Sequence, residues 1–545
     1  MKNYKYHEYI DNWMLKVERG KVHSCREQKA LMPFLRTILD SEEIEIKSKE
    51  IYDAVNLMEK YFFELIDFQK FITALIVGVF YKETQLLVFN QIFIMMGRGS
   101  GKNGFVSALS FYFMSDKHNI KQYHVDIVAT SEEQAQTSFF DVYDIIDENK
   151  RIQKLFHYTK EKITFNKTKS TLKFRTSNAK TKDGGRPGCV IFDEIHQYGN
   201  YDNIKVFTGG LGKKPRPRRI YITTDGELRE AVLDNFKDRA KRILSGEIPH
   251  GGFLPIIFKM DSIQEVGKPN LWDKAIPRIE YDLDLKTQIA TEYEEMLEDA
   301  GMKEAFITKR MNIPYASEDK VAVSWEEILD TKNHEWPDLE GSPCIGTLDY
   351  ADLKDFASCG LYLKYNGKRF FKQHTFIHYK SLEFTRYNID INEAVKNGWA
   401  TIVKDTPIIT PGVIAKWFME QSSTYSIKKV VGDRFRITAI QEAFEEAGIP
   451  FEGLFFGSIS QNKIHPIVTR MFAERSIALE DDKLMRWYIN NTGVKKDGKG
   501  NYTYFKIDPK KRKTDGFFSL LHGIHSDDQL EDASIVVEAM EPFVF

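Results

Sequence analysis

Four short runs of apolar, β-branched or aromatic residues punctuate the first half of the chain: Gln91–Met96, Val125–Ala129, Cys189–Phe192 and Arg219–Thr224. Largely apolar character over so few residues predicts strands covered on both faces, as in a parallel sheet. Stretches of helical spacing, such as Phe105–Met114, lie between them. The first sixty residues repeat apolar positions at helical intervals among mixed charges and predict amphipathic helices. Lys162–Arg175 reads as one antiparallel hairpin inserted into the alternation. From about Glu227 to Trp325 the pattern turns helical and charged, with prolines at 249, 255, 269 and 277. Glu340-Gly341-Ser342-Pro343 then breaks the chain. Three further strand runs follow with short turns, Cys344–Tyr350, Ser358–Tyr365 and Arg369–His378, and helix–strand alternation resumes from Pro411. The expected fold class is α/β, with two units in series.

Composition narrows the possibilities. At 545 residues the chain exceeds one core, and 42% hydrophobic residues suffice for two or three. A formal net charge of −2 means that nucleic-acid contact has to come from local basic patches. Cys25, Cys189, Cys344 and Cys359 are scattered and form no CxxC pair, which favours buried thiols in a reducing compartment over disulfides or zinc. No apolar run approaches the roughly 20 residues of a membrane helix, and the first residues lack a signal-peptide core. A soluble cytoplasmic protein is expected, with no membrane partner.

The chemistry begins at Gly97-Arg98-Gly99-Ser100-Gly101-Lys102, between a strand run and a helix run. Glycines there let backbone N–H groups close around phosphates, and Lys102 brings positive charge to the β/γ oxygens. The stretch departs from GxxxxGK[ST] at two places. Met96 stands at the first glycine, and Asn103 replaces the hydroxyl residue that touches Mg²⁺. Alone, such a stretch is equally a flexible turn. Asp193-Glu194, closing the apolar strand downstream, completes the pattern: the first acid holds Mg²⁺ and the second polarises an attacking water. The cofactors expected are ATP and Mg²⁺. Thr224, at the end of the next strand, offers a hydroxyl to sense the γ-phosphate, or is a plain polar turn. Gln69 can read adenine with its two-sided amide, or belong to a surface helix.

Two-metal nuclease chemistry needs carboxylates converging from separate elements. Asp349 ends the first strand of the second unit. Asp433 follows the apolar run Ile427–Val431 and ends level with Asp349 if the two strands are parallel neighbours. Asp515 opens the helix-like run Gly516–Ile524. The strand order expected is that of a ribonuclease H-like unit. Asp352 and Asp355 follow Asp349 in a turn, where aspartate is common anyway. Ser526-Asp527-Asp528-Gln529 can be an acid cluster or, preferably, a capping box opening a helix to about Met540. Two basic runs suit DNA phosphates: Lys213–Arg219, and Lys495, Lys496, Lys499, Lys506, Lys510, Lys511, Arg512 and Lys513.

These residues resemble, in order, the large subunit of tailed-phage terminases. The likeness runs through Phe68-Gln69, Arg98–Lys102, Ala129-Thr130 with Glu133-Gln134-Ala135, Val190–His196 and Ile222–Gly226. It continues through Arg310-Met311-Asn312, Gly346–Asp349, Val431–Asp433 and Lys513–Gly516. The resemblance implies a P-loop packaging ATPase with an additional strand, followed by a ribonuclease H-like endonuclease that cuts concatemeric DNA. Asp349, Asp433 and Asp515 match the family's metal-binding acids, taking Mg²⁺ or Mn²⁺, and Asp355 matches a recurrent position. The domains expected are a helical segment 1–60, the ATPase 61–250, a helical lid or linker 251–340 and the nuclease 341–545. Arg186 is the candidate trans-acting arginine, and Arg98 a local phosphate contact. The partners implied are double-stranded DNA, the procapsid portal protein, a small terminase subunit and further copies in a ring. The location implied is the bacterial host's cytoplasm, with transient docking at the portal. The alternative is a cellular helicase–nuclease, which would need a second motor lobe; no second ATPase-like strand series follows Gly226.

Overall fold

In the computed structural model the chain divides into two compact units, Met1–Tyr315 and Ala316–Phe545. The structure describes every residue except 1–3, 177–184, 227, 316–320, 354, 386, 388, 435–436, 497, 499, 508–511 and 535–545.

The first unit opens with four helices: α1 (Glu8–Glu18), α2 (Arg26–Leu39), α3 (Ser48–Tyr61) and α4 (Asp67–Gly78). Their apolar stripes, Ile10 and Met14, Leu31 and Leu35, Ile51 and Val55, enter one core with the sheet. That sheet holds β1 (Gln91–Met95), β2 (His124–Ala129), β3 (Phe156–Thr159), β4 (Lys162–Phe165), β5 (Thr171–Thr176), β6 (Pro187–Asp193), β7 (Arg218–Thr223) and β8 (Phe253–Ile257). The spatial order is β8-β1-β7-β6-β2-β5-β4-β3. Neighbours from β8 through β5 are parallel, and β4 and β3 run antiparallel at the far edge. Helix α5 (Lys102–Met114) follows β1 and is buried nearly all round. This explains why its sequence lacks a polar face.

The antiparallel pairing expected over 162–175 forms between β4 and β5, and β5 also pairs in parallel with β2, which joins the hairpin to the sheet. One expectation needs correction here. The stretch from 227 to 325, read as helical, contains β8. Pro255 disguised that strand, and it is tolerated because β8 lies at the sheet edge, where an N–H is not needed on the open side. After β8, Met260, Trp272, Ile276, Phe306 and Met311 close a small core of their own around helix α7, which we number after the helix Val232–Leu244 (α6); α7 spans Leu283–Glu298.

The second unit begins with α8 (Trp325–Asp330), whose Ile328 is fully buried in that unit's core. Its main sheet holds β9 (Pro343–Asp349), β10 (Ala357–Tyr365), β11 (Lys368–His378), β12 (Ala400–Val403), β13 (Ser426–Asp433) and β14 (Phe451–Leu454), in the order β12-β11-β10-β9-β13-β14. β9, β10 and β11 are antiparallel, whereas β13 runs parallel to β9 and β14 to β13. A two-residue strand, Ile477–Ala478, pairs with β11. A separate hairpin, β15 (Thr492–Lys496) and β16 (Tyr502–Lys506), precedes helix α9 (Asp515–His525). Phe517, Leu520 and Leu521 of α9 are fully buried, each contributing about 1.5–3 kcal/mol of apolar burial.

The capping box expected at Ser526 does not form. Ser526 Oγ is buried without a hydrogen-bond partner, and a short 3₁₀ turn, Asp527–Gln529, follows. Most of the helix expected to reach Met540 lies outside the described residues. All four cysteines are buried free thiols. Among the described residues no helix is long and apolar enough to cross a membrane.

Candidate active sites

Strand register brings the first site together. Met95 of β1 pairs with Thr223 of β7, and Asp193 of β6 pairs with Ile222, so loop, acids and threonines share the C-terminal end of the parallel strands. Gly99 and Gly101 adopt φ of +98° and +79°, a region that side chains disfavour, and the loop can turn there only with glycine. Ser100 Oγ donates to the Gly97 carbonyl at 2.7 Å. Lys102 is buried, and its Nζ donates to the Met96 carbonyl at 2.8 Å. That contact uses only main chain of residue 96, and the Met96 side chain packs into the core, so glycine is not required there. Burial pushes the Lys102 amine down, opposed by Glu194 and Asp193. Asn103 is the second residue of α5 and half-buried.

Gln69 borders the same small cavity as Ser100, Gly101 and Lys102. Its Oε1 accepts from the Ile66 N–H at 3.1 Å, so the oxygen half of the amide caps α4. Arg98 is exposed, and its main chain is held from both sides: its N–H donates to the Lys309 carbonyl at 2.7 Å, and its carbonyl accepts from Arg310 Nη1 at 2.8 Å. Arg310 is itself fixed by a bidentate pair with Glu292 of α7.

The acid pair splits into two environments. Asp193 Oδ1 is buried with no hydrogen-bond partner, and burial with the adjacent Glu194 pushes its carboxyl up to about 7. Such an orphaned oxygen suits a cation ligand. Glu194 sits in the left-handed region at φ 47°. Its Oε2 accepts from the Thr224 N–H at 3.2 Å and lies 3.0 Å from His196 Nδ1. Burial alone would raise its carboxyl. The His196 contact, Lys102 and the Thr224 N–H outweigh burial and hold it at about 2. One carboxyl thus keeps an unpaired oxygen for a metal, and the other is favoured in its ionised form by its hydrogen-bond donors and Lys102.

Thr224 meets this site by its N–H, while its hydroxyl donates to the Asp225 carbonyl at 3.0 Å. Arg186 is exposed at the start of β6, the opposite end from Asp193. At about 3.3 Å per residue it stands roughly 20 Å away along the strand and cannot reach its own acid pair. The sequence reading gave no role to His196 or Lys309, although the histidine's place three residues after Asp193 was a signal.

In the second unit Leu348 pairs with Gly432, which sets Asp349 and Asp433 side by side at two parallel strand ends. Helix α9 is clamped to β9 through Thr347 Oγ1 and Ser519 Oγ at 2.7 Å, and His522 Nδ1 and the Leu348 carbonyl at 2.9 Å. This brings Asp515, in the first turn of α9, to the same edge. Burial, then Asp515, push Asp349 well up; burial also raises Asp515, with Lys506 opposing. Asp515 Oδ2 is buried with no hydrogen-bond partner. Among the described residues no three acids are drawn around a single point, and Lys506 stands among them: its Nζ lies 3.2 Å from Asp355 and 3.8 Å from Asp515.

Lys513 also pairs with Asp355. Lys506 and Lys513 thus face the acids rather than solvent. In the other basic run Arg218 is interior, stacked on Phe113 and bonded to Tyr123 Oη at 3.0 Å. Lys499, Lys510 and Lys511 lie outside the described residues. Asp527 is paired with Arg369 and accepts from Tyr362 Oη at 2.7 Å, so it supports α9 from the side.

Two family models match successive parts of the chain. The family model "Terminase large subunit, ATPase domain" matches residues 67–242, and "Terminase large subunit, endonuclease domain" matches residues 249–524. The terminase large subunits of Lactococcus phages p2 and SK1 are 23% and 22% identical over 510 residues, covering 85% of this chain and 90% of each relative. The crystal structure of the HK97 bacteriophage large terminase is 16% identical, with a TM-score of 0.48, covering 87% of this chain and 99% of that one.

Proposed function

The chain belongs to the terminase large-subunit family, with that family's ATPase and endonuclease domains, and from this premise we propose how its residues divide the work of phage DNA packaging. Lys102 binds the β/γ phosphates, and the Gly99–Gly101 backbone cradles them, once the amine exchanges the Met96 carbonyl for phosphate oxygen. Asp193 and Asn103 would hold Mg²⁺, which when bound neutralises charge on the phosphates. Glu194 orients the attacking water, and the Thr224 N–H keeps its carboxylate in place. The observation that carries this reading is the split acid pair, one oxygen orphaned and buried, the next carboxylate ionised and hydrogen-bonded.

In the second unit Asp349, Asp433 and Asp515 hold divalent cations, Mg²⁺ or Mn²⁺, which when bound activate water and stabilise the leaving oxygen of a DNA phosphodiester. The orphaned Asp515 oxygen and the raised carboxyls of Asp349 and Asp515, which stay raised although Lys506 opposes the shift, fit hard cations. ATP hydrolysis drives double-stranded DNA into a procapsid, and the nuclease cuts concatemers. The partners we propose are the portal protein, a small terminase subunit and further copies in a ring, in the cytoplasm of the bacterial host and docked at the portal during packaging. Arg186, out of reach of its own nucleotide, suits contact with that of a neighbouring copy.

Both activities should appear in one purified chain, ATP turnover with Mg²⁺ and plasmid cleavage with Mg²⁺ or Mn²⁺. A chain that folds and binds ATP but hydrolyses none refutes the assignment. Asn103→Thr restores a hydroxyl beside the metal and should lower the Mg²⁺ concentration needed for half-maximal ATP turnover. An unchanged titration means that residue 103 does not face the metal. Residues Ala316–Phe545, which include α8 and its buried Ile328, should cleave DNA without ATP, because their acids need only a cation. A folded fragment that remains ATP-dependent would refute that independence.

A further inference from the structure

Glu194 is held by one oxygen, and the group that holds it is in turn gripped from the segment that packs over the phosphate loop. His196 Nδ1 lies 3.0 Å from Glu194 Oε2 and 3.0 Å from Thr223 Oγ1. Its Nε2 lies 2.8 Å from Lys309 Nζ. An ammonium can only donate, so Nε2 accepts and the ring proton resides on Nδ1. Thr223 Oγ1 donates to the Thr224 carbonyl at 2.7 Å and accepts from the His196 main-chain N–H at 3.2 Å, and it shares the single Nδ1 proton with Glu194 as a second acceptor. The imidazole is therefore locked in one tautomer, donating to Glu194 on one side and receiving from Lys309 on the other. Gly226 closes the fourth side: a Cβ there would lie 2.6 Å from His196 Cδ2, so only glycine leaves the ring its place.

Lys309 sits in a π-helical turn, Phe306–Arg310, whose main chain accepts the Arg98 N–H of the phosphate loop. A single residue thus grips the phosphate loop by its carbonyl and the histidine by its amine. We propose that His196 and Lys309 are positioning residues for ATP hydrolysis, fixing one oxygen of Glu194 so that the other faces the attacking water, and tying that orientation to the 306–312 segment. This rests on Glu194 being the water-orienting carboxylate. A carboxylate free to rotate would lose much of the benefit of a fixed geometry.

The test measures steady-state ATP turnover and, separately, the affinity for a fluorescent ATP analogue in the full chain. His196→Ala should lower kcat on the order of 10²-fold and leave analogue affinity near that of the wild type. Lys309→Met, at a half-buried position, should lower kcat by a smaller factor, and Lys309→Arg, which keeps a donor to Nε2, should restore it. The variant combining Glu194→Gln with His196→Ala should be no slower than Glu194→Gln alone, because the histidine acts through the glutamate. If His196→Ala does not fold, the Lys309 pair decides. Unaltered kcat in Lys309→Met, or a loss confined to nucleotide affinity, overturns the inference. Additional slowing in the combined variant overturns it while leaving the role of Glu194 intact. Wild-type turnover in Glu194→Gln itself overturns that role first.

Discussion

Asp515→Ala should abolish DNA cleavage, a loss on the order of 10³-fold or more from several kcal/mol of transition-state stabilisation, while ATP turnover by the same chain continues. The carboxylate sits in the first turn of α9, which is held to β9 by Thr347–Ser519 and Leu348–His522, so the substitution removes a ligand and leaves the helix anchored. Asp349→Ala and Asp433→Ala should behave alike. Undiminished plasmid cutting by Asp515→Ala, with loss in Asp527→Ala or Asp528→Ala instead, would move the site to the following turn.

Stability provides an independent check. Burial raises the Asp349 and Asp515 carboxyls, with Asp515 adding to the first and Asp355 to the second. Their favourable contribution is present below about pH 4, the ordinary aspartate value, and is lost as pH rises through the raised values. Ionising these acids in the folded state therefore costs stability, and a bound divalent cation offsets that cost. Mg²⁺ or Mn²⁺ should raise the melting temperature of the nuclease unit, increasingly as pH rises through those values, with a smaller gain in Asp515→Ala.

Lys102→Ala and Glu194→Gln should both stop ATP turnover, by routes that separate in binding. Losing the lysine removes a charge-assisted hydrogen bond worth about 1.5–3 kcal/mol, so nucleotide affinity should fall roughly 10- to 150-fold. Losing the glutamate leaves the phosphates gripped and removes only the group that orients water, so affinity should hold while turnover falls roughly 10²- to 10⁴-fold. Isothermal titration with a non-hydrolysable analogue distinguishes the two. Normal hydrolysis by Glu194→Gln would mean that another residue orients the water.

Much of the sheet architecture is legible in local pattern, because strands covered on both faces are mostly apolar, and β1, β2, β6 and β7 are. The level placement of Asp349 and Asp433 followed from strand order alone, since parallel neighbours end together. What the pattern hid has physical causes. β8 is an edge strand that accommodates Pro255, and Arg218 lies in a basic run that looks solvent-facing but is stacked inside on Phe113. Ser526 shows that a serine three residues before a glutamine does not suffice for a cap when the turn tightens. His196 and Lys309 are separated by more than one hundred residues and meet through a π-helical turn, for which side-chain periodicity gives no sign.

The phosphate loop has a further property that follows from its two lost amides. The Gly97 N–H donates to the Ala275 carbonyl at 2.8 Å and the Arg98 N–H to the Lys309 carbonyl at 2.7 Å. Neither proton can exchange with solvent until the segment carrying those carbonyls lifts away. Their isotope exchange should therefore report the free energy of opening residues 275–309 rather than the breathing of the sheet beneath. The loop and the segment above it are tied by these two bonds, and the two protons gauge how firmly.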